Sequence, residues 1–271
     1  MPRQHPNLGI TLDIGTRAQE QLNRSAFKGK VEAAWRRETE LDEESLDEKP
    51  TYLLAINTPI MGALPALRTR LEHVTTVEFE GLPTTLAVDD FLRSFNRVQT
   101  LRVSGCTLGN LPPVLLDLPH LTTLELPRCA ITLTPSTARS INDLQSLEFL
   151  ELSENPLQHA PHVSNLQQLT SLHLRNTRIS ELPHGVFQRA NLNYLDLSRN
   201  QIREITPDLL GMEQTFHEDS DLSANPWSTQ SLEYLREYYR RTGMDFQVIE
   251  ATQDVQGNPV QQPLEEPMDE E

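Results

Sequence analysis

The chain has 271 residues with 39 acidic side chains against 23 basic ones, a formal net charge of −16 and an apolar content of 37%. That balance argues against nucleic acid or anionic membrane as the main partner, because phosphate binding needs clustered Lys and Arg. No run of about 18 apolar residues exists to insert into a bilayer. Two cysteines provide no disulfide framework, and the opening Met1 to Pro6 lacks the apolar core of a secretory signal.

Residues 1–15 read as a disordered tail. From Thr16, taken as an N-cap, Ala18, Leu22, Ala26, Val31, Ala34 and Trp35 recur at roughly helical spacing, with Gly29 a candidate break. Residues 16–49 therefore read as a helical N-terminal cap followed by a solvated acidic linker from Glu38 to Glu48.

From 50 to 227 one pattern recurs. Its clearest copy is Leu192, Leu195, Leu197, Asn200 and Ile202, which matches the leucine-rich-repeat unit L-x-x-L-x-L-x-x-N-x-L. Earlier copies run through Leu172 and Leu174, Leu150 and Leu152, Leu124 and Leu126, Leu101 and Val103, then more weakly Val77 and Leu54. A last copy keeps Leu222, Asn225 and Trp227 but has Ser220 where a leucine is expected. The strand residue recurs at 54, 77, 101, 124, 150, 172, 195 and 220, at spacings of 22 to 26. One such turn cannot bury its own leucines, so the turns must stack. The expected fold is an α/β repeat solenoid of leucine-rich repeats with one parallel strand per turn.

Between strands, segments such as Leu111 to Leu115, Leu182 to Phe187 and Ile205 to Leu209 carry prolines that favour extended or short 3₁₀ returns. The longer step from Leu124 to Leu150 predicts a helical turn or bulged loop over Thr134 to Ser140. Residues 228–250 read as a C-terminal cap. A helix capped by Ser228 would bury Leu232, Leu235 and Tyr239, pair Glu237 with Arg241 and end at Gly243; an extended stretch over Asp245 to Ile249 would follow. Residues 251–271 are polar, acidic and expected to be disordered.

The exposed strand face is the surface with a directional signal. Between the two strand leucines stand Glu78, Arg102, Glu125, Glu151, His173, Asp196 and Asp221, mostly acidic. Stacked in chain order they form a column with steps of about 5 Å, in which like charges repel and a basic or mixed-charge protein partner would relieve the repulsion. Phe149 and Tyr194 fall on the same face with Arg175 between them, an aromatic-plus-charge pattern typical of protein-binding surfaces. These ten residues are the candidate partner site. Cys106 and Cys129 occupy the ladder position held elsewhere by Asn155, Asn200 and Asn225 and read as buried fillers, the alternatives being a reactive thiol or an inter-rung bridge. His159 and His162 lack further ligands at metal-binding spacing. No catalytic residue, metal site or cofactor motif is indicated.

A particular family enters through motifs. Trp35 to Arg37, Gly62 to Leu67 before His73 and Val74, Phe91 to Phe95, Ile131 to Pro135, Leu152 to Leu157, Asp221 to Trp227 and the closing Ser231 to Phe246 resemble the leucine-rich-repeat region of large bacterial effector-like proteins, where it precedes a novel-E3-ligase (NEL) domain. The resemblance implies repeats that recognise a host protein while the downstream domain transfers ubiquitin through a Cys-x-Asp nucleophile. Cys106 is followed by Thr107 and Leu108, and Cys129 by Ala130 and Ile131, so neither fits and no activity carries over. The expected function is protein recognition through the concave face. The alternatives are a substrate-recognition fragment of a larger secreted ubiquitin ligase and a bacterial scaffold without a host target. The implied location is the bacterial cytoplasm before export, then the host cell, without a cleavable hydrophobic signal.

Overall fold

The computed structural model describes residues 14–42, 50–60, 62–80, 86–212 and 216–248. The expected tail at 251–271, residues 1–13 of the tail expected at 1–15 and most of the acidic linker lie outside the described residues, whereas Ile14 and Gly15 already belong to the first helix. Among the described residues no helix is long and apolar enough to cross a membrane.

Seven strands form one parallel sheet: β1 (Tyr52–Ile56), β3 (Val74–Glu80), β5 (Thr100–Ser104), β6 (Thr123–Glu125), β7 (Phe149–Glu151), β8 (Ser171–His173) and β9 (Tyr194–Asp196). Short strands β2 (Gly62–Ala63) and β4 (Leu86–Ala87) pair separately. The register joins Leu54, Val77, Leu101, Leu124, Leu150, Leu172 and Leu195 in one inward column, and each is fully buried. An isolated parallel bridge, Asp196↔Asp221, adds an eighth turn. There Ser220, standing where a leucine was expected, is fully buried and its hydroxyl accepts the Leu195 N–H at 3.1 Å. The strand column and its spacing are those the repeat predicts.

Six of the turns leave their strands through a residue in the left-handed region: Gly105, Arg128, Glu154, Asn176, Arg199 and Ala224 have φ between 53° and 69°. Five of these six are not glycine, although such a conformation costs a non-glycine residue about 1–2 kcal/mol. Hydrogen bonds of the next residue offset this. Asn155, 1% exposed, accepts the N–H groups of Cys129 and Ile131 and donates to the carbonyls of Leu126, Leu152 and Ser153. Asn200 repeats the arrangement one rung after Thr177, and Asn225 does so at the end. These side chains pair backbone groups that the curved turn would otherwise bury unsatisfied.

The returns are short, as their prolines require, with 3₁₀ turns at Pro113–Asp117, Val186–Gln188 and Pro207–Gly211. Two short helices interrupt them, α2 (Asp89–Leu92) and α3 (Pro135–Ser140). Helix α3 supplies the helical turn expected in the long step and is closed by a capping box between Thr134 and Thr137.

The N-terminal end departs from the sequence reading. Helix α1 spans Ile14–Arg36 without a break at Gly29, and Thr16 lies inside it rather than capping it. The buried face is Glu20, Phe27 and Ala34, whereas Leu22 is 64% and Trp35 60% exposed. Phe27 meets Phe91 with ring centroids 5.4 Å apart, and Phe91 packs on Phe79 and Phe95. The docking is also polar: Lys30 donates to the Ala55 carbonyl and Asn23 to that of Pro59. The first residues of the expected linker are built into the edge. Leu41 pairs antiparallel with Tyr52, and Asp42 accepts hydroxyl hydrogens from Thr75 and Thr76. This blocks the open edge of β1.

At the other end α4 (Thr229–Thr242) is capped by Ser228, whose side chain accepts the Ser231 N–H, and stops at Gly243 with φ 77°. Its buried positions are Ser231, Leu235 and Tyr238 rather than Leu232 and Tyr239, which are half-buried. Glu237 pairs with Arg240 at 3.0 Å. Arg241 instead donates to the carbonyls of Leu210 and Met212, tying the helix to the preceding return. The strand expected at 245–249 is a turn over residues 246–248, because Phe246 and Gln247 adopt φ of 52° and 57°. Phe246 stays buried, and its carbonyl accepts the Leu222 N–H at 3.0 Å.

Candidate protein-binding face

The register places Glu78, Arg102, Glu125, Glu151, His173, Asp196 and Asp221 in one column on the open side of the sheet. The flanking column is Thr76, Thr100, Thr123, Phe149, Ser171 and Tyr194. Arg175 lies just beyond β8, its Nη1 3.4 Å from the Ser198 hydroxyl. The face thus divides, with threonines in its first half and aromatics in its second.

The acidic column is not the bare row of repelling charges that the sequence suggests. Arg102 reaches both neighbouring rungs, Nε donating to Glu125 and Nη1 to Glu78, each at 2.9 Å. Lower down, carboxylates close their own strand ends. Glu151 accepts the Ser153 N–H, Asp196 accepts the Ser198 N–H and hydroxyl, and Asp221 accepts the Ser223 N–H. The signal for this was an acid two residues before a serine, repeated at 151, 196 and 221. Burial pushes the Glu151 carboxyl above its ordinary range, opposed by the Ser153 hydrogen bond.

The aromatics do come together, through a residue of the other column. Ser171 leaves room between Phe149 and Tyr194, and His173 leans into it. Its ring lies 4.8 Å from that of Phe149 and 4.4 Å from that of Tyr194, stacked at 22° on the latter. Beyond Tyr194 stands His217, at 6.2 Å and tilted by 40°. His217 and Asp219 do not figure in the sequence reading, because the flanking column was followed only as far as Tyr194. Counting on by the repeat from Tyr194 reaches Asp219.

His173 lies 3.7 Å from Glu151, too far for a hydrogen bond, and its Nε2 is buried without a partner. Burial lowers its pKa, against a smaller pull upward from Asp196, so at neutral pH the stack holds a neutral imidazole. The unfolded chain then binds the proton more readily than the folded one, and stability falls as pH drops below about 6.5 towards the folded pKa. The raised pKa of Glu151 acts oppositely, lowering stability as pH climbs through the carboxylate range. His173→Phe, which keeps the stack, is expected to flatten the loss of Tm between about pH 7 and pH 5.5. His162, also lowered by burial, leaves a residual slope. An unchanged slope in the variant would show that folding leaves the proton affinity of His173 unshifted.

The remaining candidates are structural. Cys106 and Cys129 are buried and form no disulfide. Burial, reinforced by the adjacent Cys106, pushes the Cys129 thiol up to about 12, and its Sγ donates to the Val103 carbonyl at 3.1 Å. A thiol so held is a poor nucleophile. His162 stacks on His184 with centroids 4.8 Å apart beside an open depression of about 670 Å³ on the return side. Among the described residues no group of three or more His, Cys, Asp or Glu is placed to hold a metal ion.

A leucine-rich-repeat family profile matches residues 167–212. The rat leucine-rich repeat-containing G-protein coupled receptor 5 is 31% identical over 133 residues, covering 49% of this chain and 14% of the receptor. Mouse podocan-like protein 1 is 32% identical over 123 residues, 44% of this chain and 21% of its own length. The chain thus spans about one seventh to one fifth of these relatives. Among solved structures, PEPR1–AtPEP1 aligns at a TM-score of 0.50 and 25% identity over 62% of this chain and 24% of that one. Human 5T4 aligns at 0.52 and 19% identity over 73% and 81%. Repeat period, parallel register and these likenesses agree that the chain is an α/β leucine-rich-repeat solenoid.

Proposed function

We propose that the chain is a protein-recognition module whose concave face, centred on Phe149, Glu151, His173, Arg175, Tyr194 and Asp196, binds a partner of basic or mixed charge. The observation that carries this is the stack of Phe149, His173 and Tyr194 on the open side of the sheet, half-buried and, among the described residues, packed under no helix. Aromatic rings held rigid by stacking lose little entropy on binding and supply large contact area. Panning a random-peptide display library on the full chain tests the reading. Binders should shift the ring resonances of Phe149, His173 and Tyr194. Binders that instead perturb only the returns near Val114 or Val186 would sink it.

The order of motifs from Trp35 to Phe246 supports a second setting, the substrate-recognition part of a bacterial effector of the novel-E3-ligase type that meets a host protein after export. The matches to known proteins carry the repeat and not the ligase, so this setting rests on motif order alone. A native gene product no larger than this chain, with no Cys-x-Asp segment and no ubiquitin transfer, would exclude it and leave an adaptor or a bacterial scaffold.

A further inference from the structure

The two halves of the concave face treat charge differently. In the first, one guanidinium spans two rungs and neutralises a carboxylate on each. In the second, no Lys or Arg among the described residues lies within ion-pairing distance of Glu151, Asp196, Asp219 or Asp221. Histidines lie within that distance of two of them, His173 of Glu151 and His217 of Asp219, while Arg175 reaches Asp196 only through the Ser198 hydroxyl. His173 stays neutral inside the stack. His217 approaches the Asp219 carboxylate at 3.4 Å through Nδ1, the same atom that accepts the Asp219 N–H at 3.2 Å.

Asp196↔Asp221 pairs residues 25 apart, and the same offset sets Asp219 beside Tyr194 on the last turn. One face of the Tyr194 ring is covered by His173. The other faces the exposed ring of His217, 6.2 Å away and tilted by 40°, a looser contact than the 4.4 and 4.8 Å spacings inside the stack. The carboxylates of Asp196, Asp219, Asp221 and Glu151 all act on the Tyr194 phenol, adding to the upward push of burial. A loosely covered aromatic face and carboxylates with no Lys or Arg in ion-pairing distance, at one corner, call for a flat cation. A guanidinium is planar, always charged, stacks on rings and forks onto carboxylates; an ammonium brings the charge without the plane.

We infer that the bound partner seats an arginine side chain against the loosely covered face of Tyr194, displacing the exposed His217 ring, between Asp196 and Asp221 and beside Asp219. It would take the part that Arg102 plays in the other half. The inference rests on the concave-face reading above and specifies its ligand.

The experiment uses the full chain and the peptides selected on it. Peptides that shift the Tyr194 ring are expected to share an arginine. Changing that arginine to lysine should weaken binding at least about tenfold. Asp219→Asn, which removes no strand-end hydrogen bond, should weaken it about three- to tenfold and reduce its salt dependence. Peptides that shift Tyr194 without an arginine, or that tolerate lysine, overturn the arginine assignment and leave the concave-face reading standing. Peptides that bind elsewhere, or a failure to select any, overturn both.

Discussion

Replacing Asn155 by alanine is expected to cost about 3–5 kcal/mol of stability, as much as emptying a core position by Leu150→Ala. One amide serves two N–H groups and three carbonyls drawn from two successive turns. Each buried backbone group left unpaired costs about 1–3 kcal/mol, and the turn cannot relax to reach water because Glu154 is already held at φ 60°. In urea, with a slope near the top of the ~1–3 kcal/mol/M range, the midpoint should fall by about 1–2 M. Against a total stability of roughly 5–15 kcal/mol, such a loss at the junction of the fourth and fifth turns could divide unfolding into two steps, as nearest-neighbour coupling between repeats allows.

Asn155→Thr separates the hydrogen bonds from the volume. Thr177, at the same ladder position, donates its hydroxyl to the Leu174 carbonyl three residues back at 2.9 Å, as Asn155 donates to Leu152. The threonine variant should therefore recover part of the midpoint. Midpoints of both variants within about 0.2 M of wild type would mean that the ladder is not a principal support.

The strand register was legible because burial imposes it. A leucine every 22 to 26 residues can be hidden only by stacking, so the positions from 54 to 195 could be read from the sequence and align in the structure. The ends were less legible. Of the apolar stripe read for α1, Ala34 is buried, but Phe27 and polar anchors complete the docking and leave Leu22 and Trp35 outward, since one curved turn offers only a narrow apolar seat. The left-handed residue before each ladder position could not be read from residue type. Arg128, Glu154 and Arg199 are held there by the turn and not by intrinsic preference.

The candidate face was legible as columns and not as contacts. Alternation placed Glu151 and Asp196 outward correctly, but the partners of those carboxylates are backbone N–H groups two residues on. The stack needed more than alternation. His173 belongs to the acidic column and crosses to the aromatic one only because Ser171 is small and burial keeps the imidazole uncharged. Such leaning depends on the sizes of neighbours in adjacent turns, which no single strand pattern contains.

The double replacement Phe149→Ala with Tyr194→Ala is expected to weaken a concave-face peptide by about 100- to 1,000-fold, each ring contributing on the scale of a hot-spot residue, about 2 kcal/mol or more. Removing both also frees His173, which loses its stacking partners on either side and regains solvent. The stability cost should stay near the ~0.5–1.5 kcal/mol of each lost aromatic pair, because Leu150 and Leu195 keep the inward column intact. Binding and stability thus separate: the ladder variant Asn155→Ala lowers the urea midpoint strongly, whereas the ring variant lowers affinity strongly and the midpoint little. Tyr194→Phe adds a discriminating case. It keeps the π-face and loses only the phenol, so affinity should remain within about threefold of wild type if stacking is what the partner uses. Were the double variant to bind as tightly as wild type, the centre of recognition would lie outside the stack, and the half of the face built around Arg102 would be the next surface to dissect.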